Sequence, residues 1–169
     1  GEYENILFLE AARMMRLAKP EEILFVLVSY LPIPPMIGEM KKKPTQHAVR
    51  AMNAVGLQPD LIIARAEVPM DEPRKRKLAV FCNVTAEDII SAPDVRSIYE
   101  VPVNFEKDNL GDRILAKFRL ETKTRDLTEW TKFVEHIRGV SRPVKIGIVG
   151  KYFQTGDFVL SDSYISVIE

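Results

Sequence analysis

Apolar and polar residues alternate along this chain in two rhythms. Over residues 4–18, Ile6, Phe8, Leu9, Ala12 and Met15 recur at helical spacing and share one broad face, until Lys19-Pro20 stops the pattern. Residues 22–30 form a continuous apolar run instead, which predicts a strand covered on both faces, as in a parallel sheet. Pro32, Pro34, Pro35 and Gly38 then predict a loop over 31–43. A helix is expected over 44–55, with Ala48, Met52 and Val55 on one face and Gly56 as its C-terminal stop. Gln58-Pro59-Asp60 reads as a turn before a short strand, Leu61 to Ala64. Asp71 caps a helix over 72–82 with Pro73 in its first turn. Asp88 to Ser91 reads as a third strand and 92–95 as its exit loop. Helical sequence returns over 97–118, with breaks expected near Pro102 and Gly111, and again over 126–138, where Leu127, Trp130, Phe133, Val134 and Ile137 pack. Residues 139–143 read as a linker, and Val144 to Val149 as a fresh buried strand leading to Gly150-Lys151-Tyr152.

Strand and helix taking turns in this way predict an α/β fold with a mainly parallel sheet. Ligands in such sheets bind beyond the carboxyl ends of the strands. Lys41–Gln46, Arg65 and Ala92–Val95 each follow an expected strand, which allows them to converge on one edge. The chain opens at Gly1 without an initiator Met and stops at Ser166-Val167-Ile168-Glu169, where a helix is beginning. Both ends read as cut, so a fragment is expected.

Composition narrows the chemistry. The 169 residues carry 24 Lys+Arg against 24 Asp+Glu, a net charge of zero. Binding of nucleic acid or a membrane surface through bulk charge is therefore not expected, and any anion site must be a local cluster. No long apolar span or signal peptide is present. A single cysteine excludes an intrachain disulfide framework and fits a reducing, cytoplasmic compartment. Cys82 lies at the end of an apolar helix and reads as a buried small hydrophobe. That cysteine and two separated histidines, His47 and His136, supply no metal-ligand cluster.

The stretch Lys41-Lys42-Lys43-Pro44-Thr45-Gln46-His47 stands out. Three ammonium groups precede a proline suited to the first turn of a helix, where its missing N–H has no partner to lose. Free amides, the positive end of the helix dipole and adjacent lysines favour a polyanion such as a phosphate chain. A solvated charge run on a loop accounts for the same residues on local grounds. Lys77 in Arg74-Lys75-Arg76-Lys77 is open to the same two readings.

Several segments together resemble the CTP synthase family. Its uridine-nucleotide loop, Lys-Thr-Lys-Pro-Thr-Gln-His, is similar to residues 41–47. Gly56-Leu57-Gln58-Pro59-Asp60, the run Lys77 to Val84, the run Ile90 to Tyr99, Leu127-Thr128-Glu129-Trp130 and Val149-Gly150-Lys151-Tyr152 also match in order. The resemblance implies a P-loop-NTPase-like (dethiobiotin-synthetase-like) amidoligase domain, three-layered around its mainly parallel sheet. It implies residues 1–138 as the second half of that domain, 139–143 as the linker, and 144–169 as the start of a class I glutaminase domain.

The activity implied is ATP-dependent conversion of UTP to CTP. ATP phosphorylates O4 of UTP, and ammonia from glutamine displaces the phosphate, with Mg2+ as cofactor. Carried over residue by residue, Lys41, Lys42, Lys43, Pro44, Thr45, Gln46 and Lys77 would form the UTP/CTP triphosphate site. Glu2, Tyr3 and Glu4 would meet the sugar and base of the inhibitor CTP, with Glu and Tyr standing where the family has Asp and Ile. Phe81 matches an aromatic near the cytosine, or packs in the core. Pro93, Asp94 and Val95 would touch the adenine end of ATP, with capping of the helix from Ser97 as a compatible role for Asp94. Glu10 and Arg13 match positions near the nucleotide but are also ordinary helix-surface charges, and Arg65, after a strand, could reach the phosphates or equally make a surface ion pair. Lys42 replaces a family Thr with a third ammonium. Residues 154–161 are longer than the matching family segment. No residue of this fragment is assigned to catalysis or to metal, so the fragment alone is expected to be inactive. The partners implied are UTP, CTP, ATP and ammonia within a homodimer or homotetramer. A non-catalytic UTP/CTP-binding module or an oligomerisation fragment is the alternative.

Overall fold

The computed structural model describes residues 2–36, 38–151, 154–155, 158–159 and 164–168. They form two compact units, 1–128 and 129–169. The first is built as α1 (Glu2–Ala18), β1 (Val26–Tyr30), α2 (Lys43–Ala54), β2 (Leu61–Ala66), α3 (Glu72–Cys82), β3 (Ile89–Pro93), α4 (Val101–Lys107) and α5 (Leu110–Lys117). Its sheet is parallel in the order β1-β2-β3, with Val26 opposite Leu61 and Ile62 opposite Ile89. This is the α/β architecture with a mainly parallel sheet that the alternation of elements predicts.

The core lies between the sheet and α2 and α3. Leu31, Met40, Val49, Ile62, Ala64, Leu78, Ala79, Cys82 and Ile89 are buried there together. Burying each large aliphatic side chain contributes about 1.5–3 kcal/mol. The other face of the sheet is met by α4. Val28 and Ile63 of the strands, with Val101, Asn104 and Phe105 of α4, line a cavity of about 150 Å³ there.

Several boundaries depart from the sequence pattern for identifiable reasons. Strand β1 starts at Val26, not Glu22, because the chain before it is held by side chains. Arg16 of α1 donates to the Ile23 carbonyl and to Asp60 (2.9 Å), and the Phe25 amide donates to Asp60 Oδ2 (2.8 Å). Nor is β1 covered on both faces: it is the edge strand, and Val26, Val28 and Tyr30 are exposed. Helix α1 forms as expected, but Ile6, Phe8 and Met15 of its apolar face stand in solvent. The 97–118 region divides close to both expected positions: Ile98–Glu100 forms a separate short turn before α4, and α4 ends before α5 begins. Pro102 sits in the first turn of α4, where no N–H is required, and Gly111 lies within α5. The second break falls at Asp108-Asn109, where Asn109 adopts φ +53°. There the Asp108 carboxylate accepts from the Ser91 amide (2.6 Å) and from Lys75 Nζ (2.7 Å).

The second unit carries α6 (Thr128–Gly139) from Glu129 on, the antiparallel pair β4 (Gln154–Thr155) and β5 (Phe158–Val159), and α7 (Ile165–Ile168). Trp130 and Phe133 of α6 meet edge to face at 5.9 Å. Val144 to Val149 form no strand, and Val144, Ile146 and Val149 are exposed. A buried strand needs a neighbour to complete its hydrogen bonds, and none pairs with this run among the described residues. Tyr152 and much of 154–161 lie outside the described residues.

Candidate functional site

The lysine loop leaves the carboxyl end of β1 and enters α2. Its path is pinned at three points. The Gly38 amide donates to the Pro34 carbonyl (2.9 Å), with Gly38 at φ +64°. The Lys41 amide donates to the Pro32 carbonyl (2.8 Å), and Met40 is buried in the core. Helix α2 begins at Lys43, one residue before Pro44, with Lys42 as the residue flanking its start. No side chain caps this end and its first turn holds no acidic residue. The amides of Lys43 and Thr45 have no carbonyl within the helix to meet.

A helix start ordinarily prefers an acidic or hydroxyl cap. Here three ammonium groups stand at the positive end of the dipole instead. An anion at such a helix start would offset that local charge.

Opposite the loop stands α3. Asp71 caps it by accepting from the Arg74 amide (2.9 Å), with Pro73 in the first turn, as the sequence predicts. Lys77 and Phe81 are four residues apart and so share one helical face. With Glu39, Met40, Lys41, Lys42, Lys43 and Gln46 they line a cleft of about 540 Å³. Phe81 is 53% exposed, which overturns core packing as its role. Lys77 is exposed as well, and also lines the cleft.

Thr45 is placed elsewhere. It is fully buried, and Ser29 Oγ of β1 donates to its Oγ1 (2.8 Å). Its hydroxyl therefore ties α2 to the sheet and faces away from the cleft, leaving its backbone amide on the side of the helix start. Pro44 is exposed in the first turn and does not line the cleft.

The other expected residues separate from this group. Pro93 ends β3, and Asp94 pairs with Arg65 at 2.9 Å. Arg65 thus lies within β2 and makes the surface ion pair, not a loop contact. Asp94 does not cap the next helical turn; Ser97 accepts from the Tyr99 amide there (3.4 Å). Val95 is half-buried beside it. Tyr3 and Glu4 are exposed on the first turns of α1, and the side chain of Glu2 lies outside the described residues. Arg13 pairs with Glu10 (2.8 Å) and lies over Gly56, where a Cβ would come within 2.9 Å of it. Cys82 is buried, and burial pushes its thiol up to about 11, so it is no nucleophile.

Glu39 is the residue that sequence reasoning passed over. Its carboxylate lies 3.3 Å from Lys41 Nζ and 4.0 Å from Lys42 Nζ. The Lys41 hydrogen bond, then the charges of Lys41 and Lys42, hold its carboxyl below the ordinary value. The available signal was an acid two and three residues before the lysines, on a loop that other contacts hold still.

Among the described residues no group of three or more His, Cys, Asp or Glu is placed to hold a metal ion. No helix of the described residues is long and apolar enough to cross a membrane.

A family model described as CTP synthase N-terminus matches residues 1–120. A CTP synthase of Methanococcus maripaludis is 44% identical over the whole chain, and those of Methanocaldococcus jannaschii and Sulfolobus acidocaldarius are each 43% identical. The chain spans about a third of the length of these curated relatives, 31% in each case. The matched model corrects the placement expected from sequence. Residues 1–120 belong to the family's N-terminal region, not to a stretch ending in a linker at 139–143 and a glutaminase start at 144–169. Separately, the apolar run 144–149, expected as a buried strand, forms none. The parallel α/β sheet is consistent with the P-loop-NTPase-like amidoligase fold. With the match covering most of its length, this chain belongs to the CTP synthase family.

Proposed function

We propose that this chain supplies the pyrimidine-nucleotide triphosphate site of an enzyme that makes CTP from UTP, ATP and glutamine-derived ammonia. Lys41, Lys42, Lys43, Gln46 and Lys77 take the triphosphate, assisted by the backbone amides at the start of α2. Phe81 presents a ring toward the base end, for UTP as substrate and CTP as inhibitor. The observation that carries this reading is the cleft itself: four ammonium groups around one opening, beside a helix start with no acidic cap. Charge-assisted hydrogen bonds to such groups are the strong ones, and they position a phosphate chain without breaking any bond. Among the described residues lining the cleft the only carboxylate is Glu39, so we infer binding without turnover by this chain alone. Pro93, Asp94 and Val95 remain our proposal for the adenine end of ATP. Arg65 holds Asp94 in place there, leaving the strand-end backbone as the contacting group.

The test is calorimetric titration of UTP into the 169-residue chain and into Lys43→Ala. Binding by the parent chain and about a tenfold or greater loss in the variant are expected, as for removal of a charged hydrogen-bonding group. Equal affinity of the two proteins, or CTP formation by the chain alone with UTP, ATP, Mg2+ and ammonia, defeats the proposal. A second reading, an assembly fragment forming dimers or tetramers, is favoured by α1. Tyr3, Leu7, Phe8 and Leu17 are each at least 70% exposed there, more apolar surface than a helix ordinarily leaves in water. Light scattering of the purified chain separates a monomer from an assembly.

A further inference from the structure

The triphosphate cleft contains a group that a polyanion site does not call for. Glu39 lines it with its carboxylate among the very ammonium groups that would meet phosphate. We propose that Glu39 is an internal competitor: its carboxylate holds Lys41 and Lys42, and a phosphate chain must displace it to reach them. This rests on the triphosphate reading above and names how that site is tuned.

Three observations carry it. First, the carboxylate spans both lysines, one oxygen toward each: Oε2 at 3.3 Å from Lys41 Nζ, Oε1 at 4.0 Å from Lys42 Nζ. Second, the backbone on both sides is fixed. Gly38 is in a left-handed turn bonded to Pro34, and Met40 is buried, so Glu39 can leave only by rotating its own side chain. Third, the other two ammonium groups of the cleft, Lys43 and Lys77, have no ion-pair partner among the described residues. The acid therefore divides the site into two engaged and two open cations. An incoming anion meets Lys43 and Lys77 at once, and gains Lys41 and Lys42 only by exchanging one carboxylate for phosphate oxygens. Four ammonium groups and one carboxylate leave three net positive charges, so removing the acid raises the local charge by one unit.

An exposed ion pair is a weak competitor, because water screens it. The expected effect is correspondingly modest and salt-sensitive. Inorganic tripolyphosphate and UTP are titrated into the 169-residue chain, Glu39→Gln and Glu39→Ala, at low and at high ionic strength. Both variants should bind tripolyphosphate about two- to fivefold more tightly than the parent at low salt. That advantage should shrink at high salt, where the Debye length falls to a few ångströms. UTP should follow tripolyphosphate. Unchanged or weakened binding in both variants overturns the inference, weakening meaning that the acid positions the lysines for phosphate. Absence of binding by the parent and both variants overturns the triphosphate reading, and this inference with it. Parent binding with unimproved variants leaves that reading standing and sinks only the competitor.

Discussion

Thr45 shows how one side chain can be correctly placed in sequence and wrongly placed in role. It lies between Pro44 and Gln46 in the loop that matches the nucleotide motif, yet it is fully buried on Ser29. Its hydroxyl is structural. Replacing it as Thr45→Val leaves the Ser29 hydroxyl buried without its partner, a loss of about 1–3 kcal/mol. Chemical denaturation should show that loss while UTP affinity in the folded fraction stays within about twofold of the parent. A collapse of affinity with unchanged stability would return Thr45 to the ligand. Phe81 makes the opposite move, from an expected choice between core and ligand to an exposed ring on the cleft. Lys41, Lys43, Gln46 and Lys77 were singled out by residue type and resemblance, and all four line the cleft. Direction could not be read, because it depends on which face of α2 or α3 meets the sheet.

At the scale of elements, the helices and strands were legible where local signals agree. Asp71 with Pro73 fixes the start of α3, and Asn83 at φ +53° closes it. Boundaries failed where a distant side chain took over a backbone group. Asp60 claims the Phe25 amide and shortens β1, and Asp108 ends α4 by reaching to Ser91 and Lys75. The latter contact joins three elements, since Lys75 is in α3 and Ser91 in β3. Lys75 is only 6% exposed, so its ammonium depends on that carboxylate. Asp108→Ala should cost about 3 kcal/mol, the lower end for orphaning a buried charge. The lower end applies because Glu72 Oε1 remains 3.8 Å from the ammonium. Asp108→Asn keeps an acceptor for the Ser91 amide and should cost less. Thermal melts of the two variants check this order, and equal melting of Asp108→Ala and the parent would refute it.

For the whole molecule, zero net charge coexists with a strongly positive cleft, so overall charge says little about the site. The hydrophobic core, by contrast, carries a titration. Burial raises the Cys82 thiol from 9.0 to about 11, so between those values the unfolded chain loses this proton while the folded chain keeps it. The folded state then binds more protons, and stability falls as pH rises through that window. Below pH 9 the contribution is fully present. Denaturation midpoints should decline from pH 9 to 11 in the parent and decline less in Cys82→Ala. A parallel decline in both would mean that the thiol is not responsible.

The amino-acid sequence alone determined the order of elements from α1 to β3, the parallel α/β class, the capped start of α3 and the basic turn before α2. These follow from interactions among residues close in the chain: periodicity, proline and glycine backbone limits, and charge beside a helix end. Tertiary structure alone decided that Lys77 and Phe81 face the lysine loop, that Thr45 turns inward, that Arg65 is taken by Asp94, and that residues 144–149 remain unpaired. Each of those outcomes depends on a partner that packing supplies. A side chain's direction, and a strand's existence, are settled by what stands opposite.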